Sequence, residues 1–524
     1  MDSGTATQSN TAARRDELPP LDRTVLLLLV VAKLIVHIPG LFRYGYFRDE
    51  LYFLDLARHL DWGYVDCAPL VAMYARIALL LGGSLPALRL LPLVAGVAMV
   101  ALTVVLAREL GGGRFAQALA GGCALVAPIY LLIDGLMTMN AFEPLYWMGC
   151  AWLLARIVRT RDSRLWLWFG VLAGLGLQNK HSTVLFGAAV LIALLLSQQR
   201  RELSRRWSWL GAGVALLVFL PNLVWQAVHS FPTLEDLANV RELGKNVALS
   251  PVGFIAQQIL VMHPVVFPVW LIGLASLLGG PLRRFRVLGW TYLALLVVMI
   301  TLKAKVYYLV PIYPMLIAAG GVTVETLLER SALTRGRAWP RAAILTGIAL
   351  AGALLAPLFL PVLPPARFLE YQAALGFAPA KTEVAHSGPL PQYFGDQFGW
   401  PELVGEVAVI YWSLPPEERA RAGIYASNYG EAGAINHFGP ALGLPPPICT
   451  HQNHWLWGPP DFDGDILIWL QWSRESLEPI CGSVEQAGEH HHPWGMAEEN
   501  RPIFLCRDPI ASAAEAWPDL KHWN

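Results

Sequence analysis

Apolar residues fall in long uninterrupted runs along this chain, not in the short alternating stripes of a water-soluble fold. A bilayer core about 30 Å thick takes roughly 20 apolar residues per helix, and on that criterion the pattern predicts about eleven spans. They lie near 24–42, 86–107, 115–133, 137–155, 165–180, 182–198, 208–228, 253–279, 286–302, 307–327 and 342–363. The fifth and sixth are short and separated only by QNKHS.

The polar stretches between the runs set an orientation. Arg114, RIVRTRDSR, QQRRELSRR, PLRRFR and ERSALTRGRAWPR alternate with DGLMTMN, NKHS, HSFPTLEDLANVRELGKN and LKAKV, which are sparsely basic. Basic residues accumulate in cytoplasmic loops, so the N-terminus is expected inside, and an odd number of spans puts the C-terminal part outside. Residues 1–23 are polar and read as a disordered cytoplasmic tail. No short apolar region with a small-residue cleavage site follows, so the first run reads as a retained anchor.

After a transmembrane domain at 24–363 the character changes. Residues 364–524 are polar and rich in Trp, Pro and Gly, with strand-like runs EVAVIYW, ILIWLQW and PIFLC, while EERARAGIYASNYGEAGAINHF reads as helical and turn material between them. A small α/β domain outside the membrane is expected there. Its cysteines, Cys449, Cys481 and Cys506, allow at most one internal disulfide.

Composition agrees. Of the 524 residues 55% are hydrophobic and 15% charged, well below the quarter or so usual in soluble domains. The charges balance, and no basic stripe marks a nucleic-acid binder.

The candidate chemistry begins just after the first run, in YFRDELYFLDLARHLDWGYVDCAPL, with Arg48, Asp49, Glu50, Arg58, Tyr64 and Asp66. A short helix in the interface, its aromatic side toward lipid headgroups, suits this spacing. Asp49 and Glu50 would then sit where the helix dipole favours acids, so plain helix capping explains them too. Asp134 ends the third run and Glu143 lies in the fourth; ionisable groups at membrane depth default to function. Lys180, His181, Lys303 and Lys305 face the same side against the positive-inside trend, with Tyr307 and Tyr308 beside them. Snorkelling at helix ends is the plainer account of those lysines. The histidines of GEHHHPWG read as loop residues in preference to a metal site, and His263-Pro264 as a helix-end feature. CTHQNHWLWGPPDFDGD reads either as an acceptor-recognition loop or as core aromatics.

FRDELYFLDLARHL, GYVDCAPL, LIDGLMTMNAFEPLYW, GLGLQNKHSTVLF and KAKVYYLVPIYPMLIAAGG, in this order, resemble the GT-C glycosyltransferases. The likeness is in particular to the bacterial family-39 relatives of dolichyl-phosphate-mannose-protein mannosyltransferases and of aminoarabinose–lipid A transferases. The resemblance covers roughly residues 24–330 and implies an α-helical GT-C membrane fold in the bacterial inner membrane with a periplasmic C-terminal domain. It further implies an inverting transfer of sugar from a polyprenyl-phosphate donor to a hydroxyl of a lipid, glycan or protein. Asp49 would be the base or its orienting partner, with Glu50 and Asp134 as further acids. Arg48, Arg58, Lys180, His181, Lys303, Lys305, Tyr307 and Tyr308 would serve the lipid phosphate, with Tyr64, Asp66, Asn140 and Glu143 completing the cavity. No cofactor is required by the resemblance; a divalent cation at Asp49 stays open. One departure stands out: where relatives have Lys, His or Gln before the Pro of this motif, the chain has Cys67, followed by Ala68 and Pro69. In the aminoarabinose enzymes that lysine contacts the lipid phosphate, so Arg48, Arg58 or Lys180 replaces it or the donor differs. The rival reading is a transporter or flippase of a polyprenyl-linked lipid, which predicts inverted repeats not evident here; an inactive scaffold is a third.

Overall fold

The computed structural model describes residues 18–245, 247–378, 383, 387–459 and 464–523. Most of the tail expected over 1–23, and part of the candidate recognition loop at 449–465, fall outside them. Among the described residues six helices are long and apolar enough to cross a membrane: Arg23–Phe42, Leu85–Glu109, Arg206–Val228, Arg283–Thr301, Val306–Arg330 and Trp339–Leu358. The bent pair Thr183–Leu195 and Gln198–Ser204 brings the number to seven if it is one span.

The other apolar runs fold as shorter, interrupted or more polar helices, for local reasons. The run at 115–133 divides into Arg114–Val126 and Pro128–Ile133. Pro128 has no N–H to continue the ladder and holds Ala127 extended, at ψ 123°. The run at 253–279 divides at His263-Pro264 into Pro251–Val261 and Phe267–Leu278, with His263 at φ +76°. Trp166–Asn179 has 14 residues, about 21 Å of helix and short of the apolar core thickness. Met139–Thr160 is long enough at 22 residues but carries Glu143 and Pro144.

The helix expected after the first run is present as Arg48–Arg58. Its surroundings are not those expected. Leu51, Tyr52, Phe53 and Leu54 are each at most 2% exposed, so no aromatic face is left for lipid headgroups. On one side the Leu70–Leu80 helix packs against it; on the other lies Tyr429–Phe438, from the far end of the chain. Leu51 belongs to the same apolar core as Val404, Ile424 and Ile435. The helix is thus shared between the membrane bundle and the C-terminal part.

That part is built on a five-stranded sheet of β1 (Ala422–Ala426), β2 (Ile448–Cys449), β3 (Ile466–Leu470), β4 (Cys481–Glu489) and β5 (Pro502–Pro509), in the order β2-β1-β3-β5-β4. β1 runs parallel to β2 and β3, while β5 is antiparallel to β3 and β4. β1 and β3 are buried at every position, so β3 reads as a continuous apolar run instead of an alternating one; β1, AGIYA, is a strand inside the stretch expected as helix and turn, its Ala and Gly residues giving no apolar run to read. EVAVIYW, expected as a strand, lies instead in the helix Trp400–Ser413. Its buried Leu403, Val404, Val407 and Ile410 follow the helical spacing i, i+1, i+4, i+7, which outweighs the strand preference of its β-branched residues. Cys481 and Cys506 form the single disulfide among the described residues, leaving Cys449 a buried thiol.

Candidate active site

Asp49 stands in the first turn of the Arg48–Arg58 helix and opens into a cavity of about 580 Å³. One wall is apolar: Ile129, Leu132, Ile133 and Leu136, from the short helix after Pro128 and the turn that follows. The facing wall is polar, with Lys245, Lys305, Tyr307, Glu383, Asp396 and Tyr429. A ligand with a greasy tail and a charged head meets both of its needs there.

The Tyr429 hydroxyl donates to Asp49 Oδ1 at 3.0 Å. Loss of solvent pushes the Asp49 carboxyl up to about 6; the Tyr429 hydrogen bond opposes that rise and the nearby Asp396 adds to it. Arg48 also lines the cavity and pairs with acids of the C-terminal part, 3.2 Å from Asp396 and 2.7 Å from Glu499. A second acid, Asp66, accepts from the Tyr52 hydroxyl at 3.0 Å. Burial first, then Asp236, raises its carboxyl to about 7. The Tyr52 and Tyr429 rings lie 4.7 Å apart, so Asp49 and Asp66 are held by two neighbouring phenols.

Of the expected cations, Lys305 lines the cavity and pairs with Glu383 at 2.7 Å. Lys180 sits one layer behind, 2.8 Å from Asn140 Oδ1 and 3.1 Å from Glu143, with its ammonium 4.2 Å from the Tyr308 ring centre. Ser182 donates to the same Glu143. Asn140 and Tyr307 reach the cavity wall and connect this layer to it. His181 is outside, hydrogen-bonded to Asn222 at 3.0 Å.

Several expected members lie elsewhere. Glu50 is fully buried against Arg89 and also accepts from the backbone N–H of Phe47 and Met137, both at 2.9 Å. It locks the helix start to the neighbouring turn. Asp134 is 2.6 Å from Lys33 inside the bundle, with both side chains at most 1% exposed. Its helix lines the cavity, but the carboxylate points the other way, into an ion pair that offsets the cost of burying it. Arg58 pairs with Asp55, whose other oxygen meets Asn436 at 2.7 Å and His454 at 3.2 Å. Tyr64 donates to backbone carbonyls of its own loop. Lys303 is exposed in a turn at φ +50°. Cys67 is buried at 1% and off the cavity wall.

The residues missed from the sequence, Tyr429, Asp396, Glu383 and Lys245, lie far along the chain from the first loop. One local signal existed. Asn428 caps the Tyr429–Phe438 helix through Gly430 and Glu431 N–H, and YGEAGA presents small residues to a close neighbour. That neighbour is the Arg48–Arg58 helix: a Cβ on Gly433 would sit 2.8 Å from the Leu51 carbonyl carbon.

Among the described residues no three His, Cys, Asp or Glu side chains gather as a metal site. Asp49 is committed to Tyr429 and Asp396 to Arg48, and in the histidine loop His490 pairs with Glu406 at 2.8 Å. This donor set does not fit a bound divalent cation, and no step below uses one.

Residues 66–225 match the family described as dolichyl-phosphate-mannose-protein mannosyltransferase, a segment holding Asp66, Asp134, Asn140, Glu143 and Lys180 but beginning after Asp49. Among solved structures, apo ArnT from Cupriavidus metallidurans is similar at TM-score 0.59 and 17% identity, over 92% of this chain and 97% of that one. The same protein bound to undecaprenyl phosphate gives 0.58 and 15%, over 91% and 97%. The Archaeoglobus fulgidus oligosaccharyltransferase, in complex with Zn and sulfate, is more distant, at 0.47 and 12% over 79% and 61%. No curated protein sequence matches significantly. Family match and fold together support the resemblance: residues 66–225 are similar to the mannosyltransferase family, and the chain shares its fold with ArnT along nearly its whole length.

Proposed function

We propose that the protein moves a sugar from a polyprenyl-phosphate donor to an acceptor hydroxyl, with inversion, at the periplasmic face of the bacterial inner membrane. The observation that carries this reading is one cavity with an apolar wall, two lysines and an acid whose carboxyl is raised to about 6. The prenyl chain suits the wall of Ile129, Leu132, Ile133 and Leu136, entering from the membrane side. Lys305 and Lys245 suit the phosphate, and Tyr307 offers it a hydroxyl. The undecaprenyl phosphate bound by ArnT supports a donor of this class.

Asp49 acts as the base. As the acceptor oxygen attacks the anomeric carbon, its proton passes to the Asp49 carboxylate. The bond from that carbon to the phosphate oxygen breaks with its electron pair, and polyprenyl phosphate departs. Lysines aimed at the departing phosphate stabilise the charge that grows on it. A base raised to about 6 is still ionised at neutral pH yet holds a proton better than an ordinary aspartate, which suits general-base work. Asp49 sits in a shared helix gripped by the C-terminal part, whose outer loops are free to select the acceptor.

Single-turnover release of polyprenyl phosphate from a panel of radiolabelled undecaprenyl-phosphate hexoses and pentoses tests this, with cell-envelope extract supplying acceptors. Release by wild type and not by Asp49→Asn is the expected result. Labelled lipid crossing reconstituted vesicles without cleavage would instead make the protein a transporter and the acids a binding site.

A further inference from the structure

Every group that touches Asp49 from the C-terminal part matters to a base, and one touches it directly. We infer that Tyr429 is a positioning residue for the reaction: its phenol reaches across from the C-terminal part to hold the Asp49 carboxylate, in its ionised form, facing the cavity. The inference rests on the reading of Asp49 as the base.

The geometry is that of a built contact. The hydroxyl donates to Oδ1 at 3.0 Å, while the ring packs against two others, 4.7 Å from Tyr52 and 4.9 Å from His451. The Tyr429 N–H donates to His451 Nδ1 at 3.2 Å, so the residue is tied at backbone and side chain. It occupies the first position of the helix capped by Asn428, which leaves it no freedom to withdraw without unwinding that turn. Below it, Gly433 lets the two helices touch backbone to backbone, which brings the phenol within reach of Asp49. The remaining neighbours cannot take its place as donors to Oδ1. Arg48, beside Asp49 on its own helix, is engaged by Asp396 and Glu499. Asp396 and Glu383 are acids that raise the Asp49 carboxyl, and Asp66 with Cys67 faces it from the next loop. Tyr307, Lys305 and Lys245 also line the cavity, but the hydrogen bond to Oδ1 is Tyr429's, and Lys305 already pairs with Glu383.

A hydrogen bond to the charged form of an acid favours that form. Removing it must make Asp49 harder to ionise, and strengthening it must do the reverse. The full-length protein in lipid nanodiscs, labelled with 13C-aspartate, is titrated by infrared difference spectroscopy, with Asp49→Asn identifying the band. Tyr429→Phe keeps the ring stack and should move the Asp49 transition upward by about one pH unit or more. Replacing Tyr429 with 3-fluorotyrosine, a more acidic donor, should move it downward; this variant decides alone if Tyr429→Phe does not fold. The acid limb of kcat/KM for the cleaved undecaprenyl-phosphate sugar should follow the infrared transition in both variants. An Asp49 transition unmoved by either change overturns the inference, as does an acid limb that stays put while the transition moves. Absence of any donor cleavage by wild type is a different failure: it overturns the glycosyl-transfer reading, and the infrared titration then judges the contact by itself.

Discussion

Arg89 grips both carboxylate oxygens of Glu50, Nε to Oε1 at 3.1 Å and Nη2 to Oε2 at 3.0 Å, with neither side chain exposed to solvent. The same arginine reaches the Gly45 carbonyl at 2.7 Å and Gln397 at 3.0 Å. Breaking one side of a buried pair leaves the other charge stranded, at about 3–5 kcal/mol. Glu50→Gln should therefore lower the melting temperature in detergent by several degrees and reduce the yield of folded protein. A Glu50→Gln enzyme of normal stability with abolished turnover would restore Glu50 to the reacting group.

Asp49→Asn should behave in the opposite way. The amide still accepts from Tyr429, so the fold should hold, while a lost general base costs roughly 10²–10⁴-fold in rate. Binding of undecaprenyl phosphate, followed by native mass spectrometry, should persist. Loss of binding together with rate would point to a role in holding the donor.

Activity and stability should respond to pH in opposite directions. Asp49 at about 6 and Asp66 at about 7 both lie above the ordinary aspartate value of 3.8, so in this range the folded state binds more protons than the unfolded. Their contribution to stability is present at low pH and is lost as pH rises through about 6 to 7. Turnover needs Asp49 ionised and should fall about tenfold per unit below pH about 6. Parallel melting curves and rates between pH 5 and 8 check the crossing trends; a melting temperature that climbs steadily with pH would contradict them.

Gly433 faces the Leu51 backbone so closely that an added Cβ would lie 2.8 Å from its carbonyl carbon and 2.9 Å from its Cβ. Gly433→Val should force the two helices apart at a cost of about 1–3 kcal/mol. Because Tyr429 rides on the displaced helix, turnover should fall more than the same destabilisation causes at Gly405, where a Cβ meets open space. Equal losses for Gly433→Val and Gly405→Val would disconnect the crossing from catalysis.

The sequence was most informative where physics is local. Long apolar runs, a helix beginning near Arg48 and the apolar strands β3 and β5 all follow from composition and spacing within a few residues, whereas β1 lies in a stretch that reads as helix and turn. Pairing over distance was not legible. Asp49, Glu50 and Asp134 look alike as acids near a span, yet Glu50 and Asp134 meet Arg89 and Lys33 and are neutralised, while Asp49 meets a tyrosine and stays open to the cavity. The aromatic face of Tyr52 and Phe53 suits lipid when viewed on a helical wheel; a wheel carries no trace of a helix 380 positions on that covers it. Cys67 is simpler: it lies off the cavity wall, and the cations that line the cavity, Arg48, Lys245 and Lys305, come from other segments.

Residue 49 emerges from the ribosome 380 positions ahead of the tyrosine that will hold it. At roughly 5–20 residues per second, synthesis takes about 20–80 seconds to cover that interval. Throughout it the nascent polypeptide carries the acid without its partner, and a product cut short before the Tyr429–Phe438 helix never acquires one. The contact between Asp49 and Tyr429 thus forms only after most of the chain has been made.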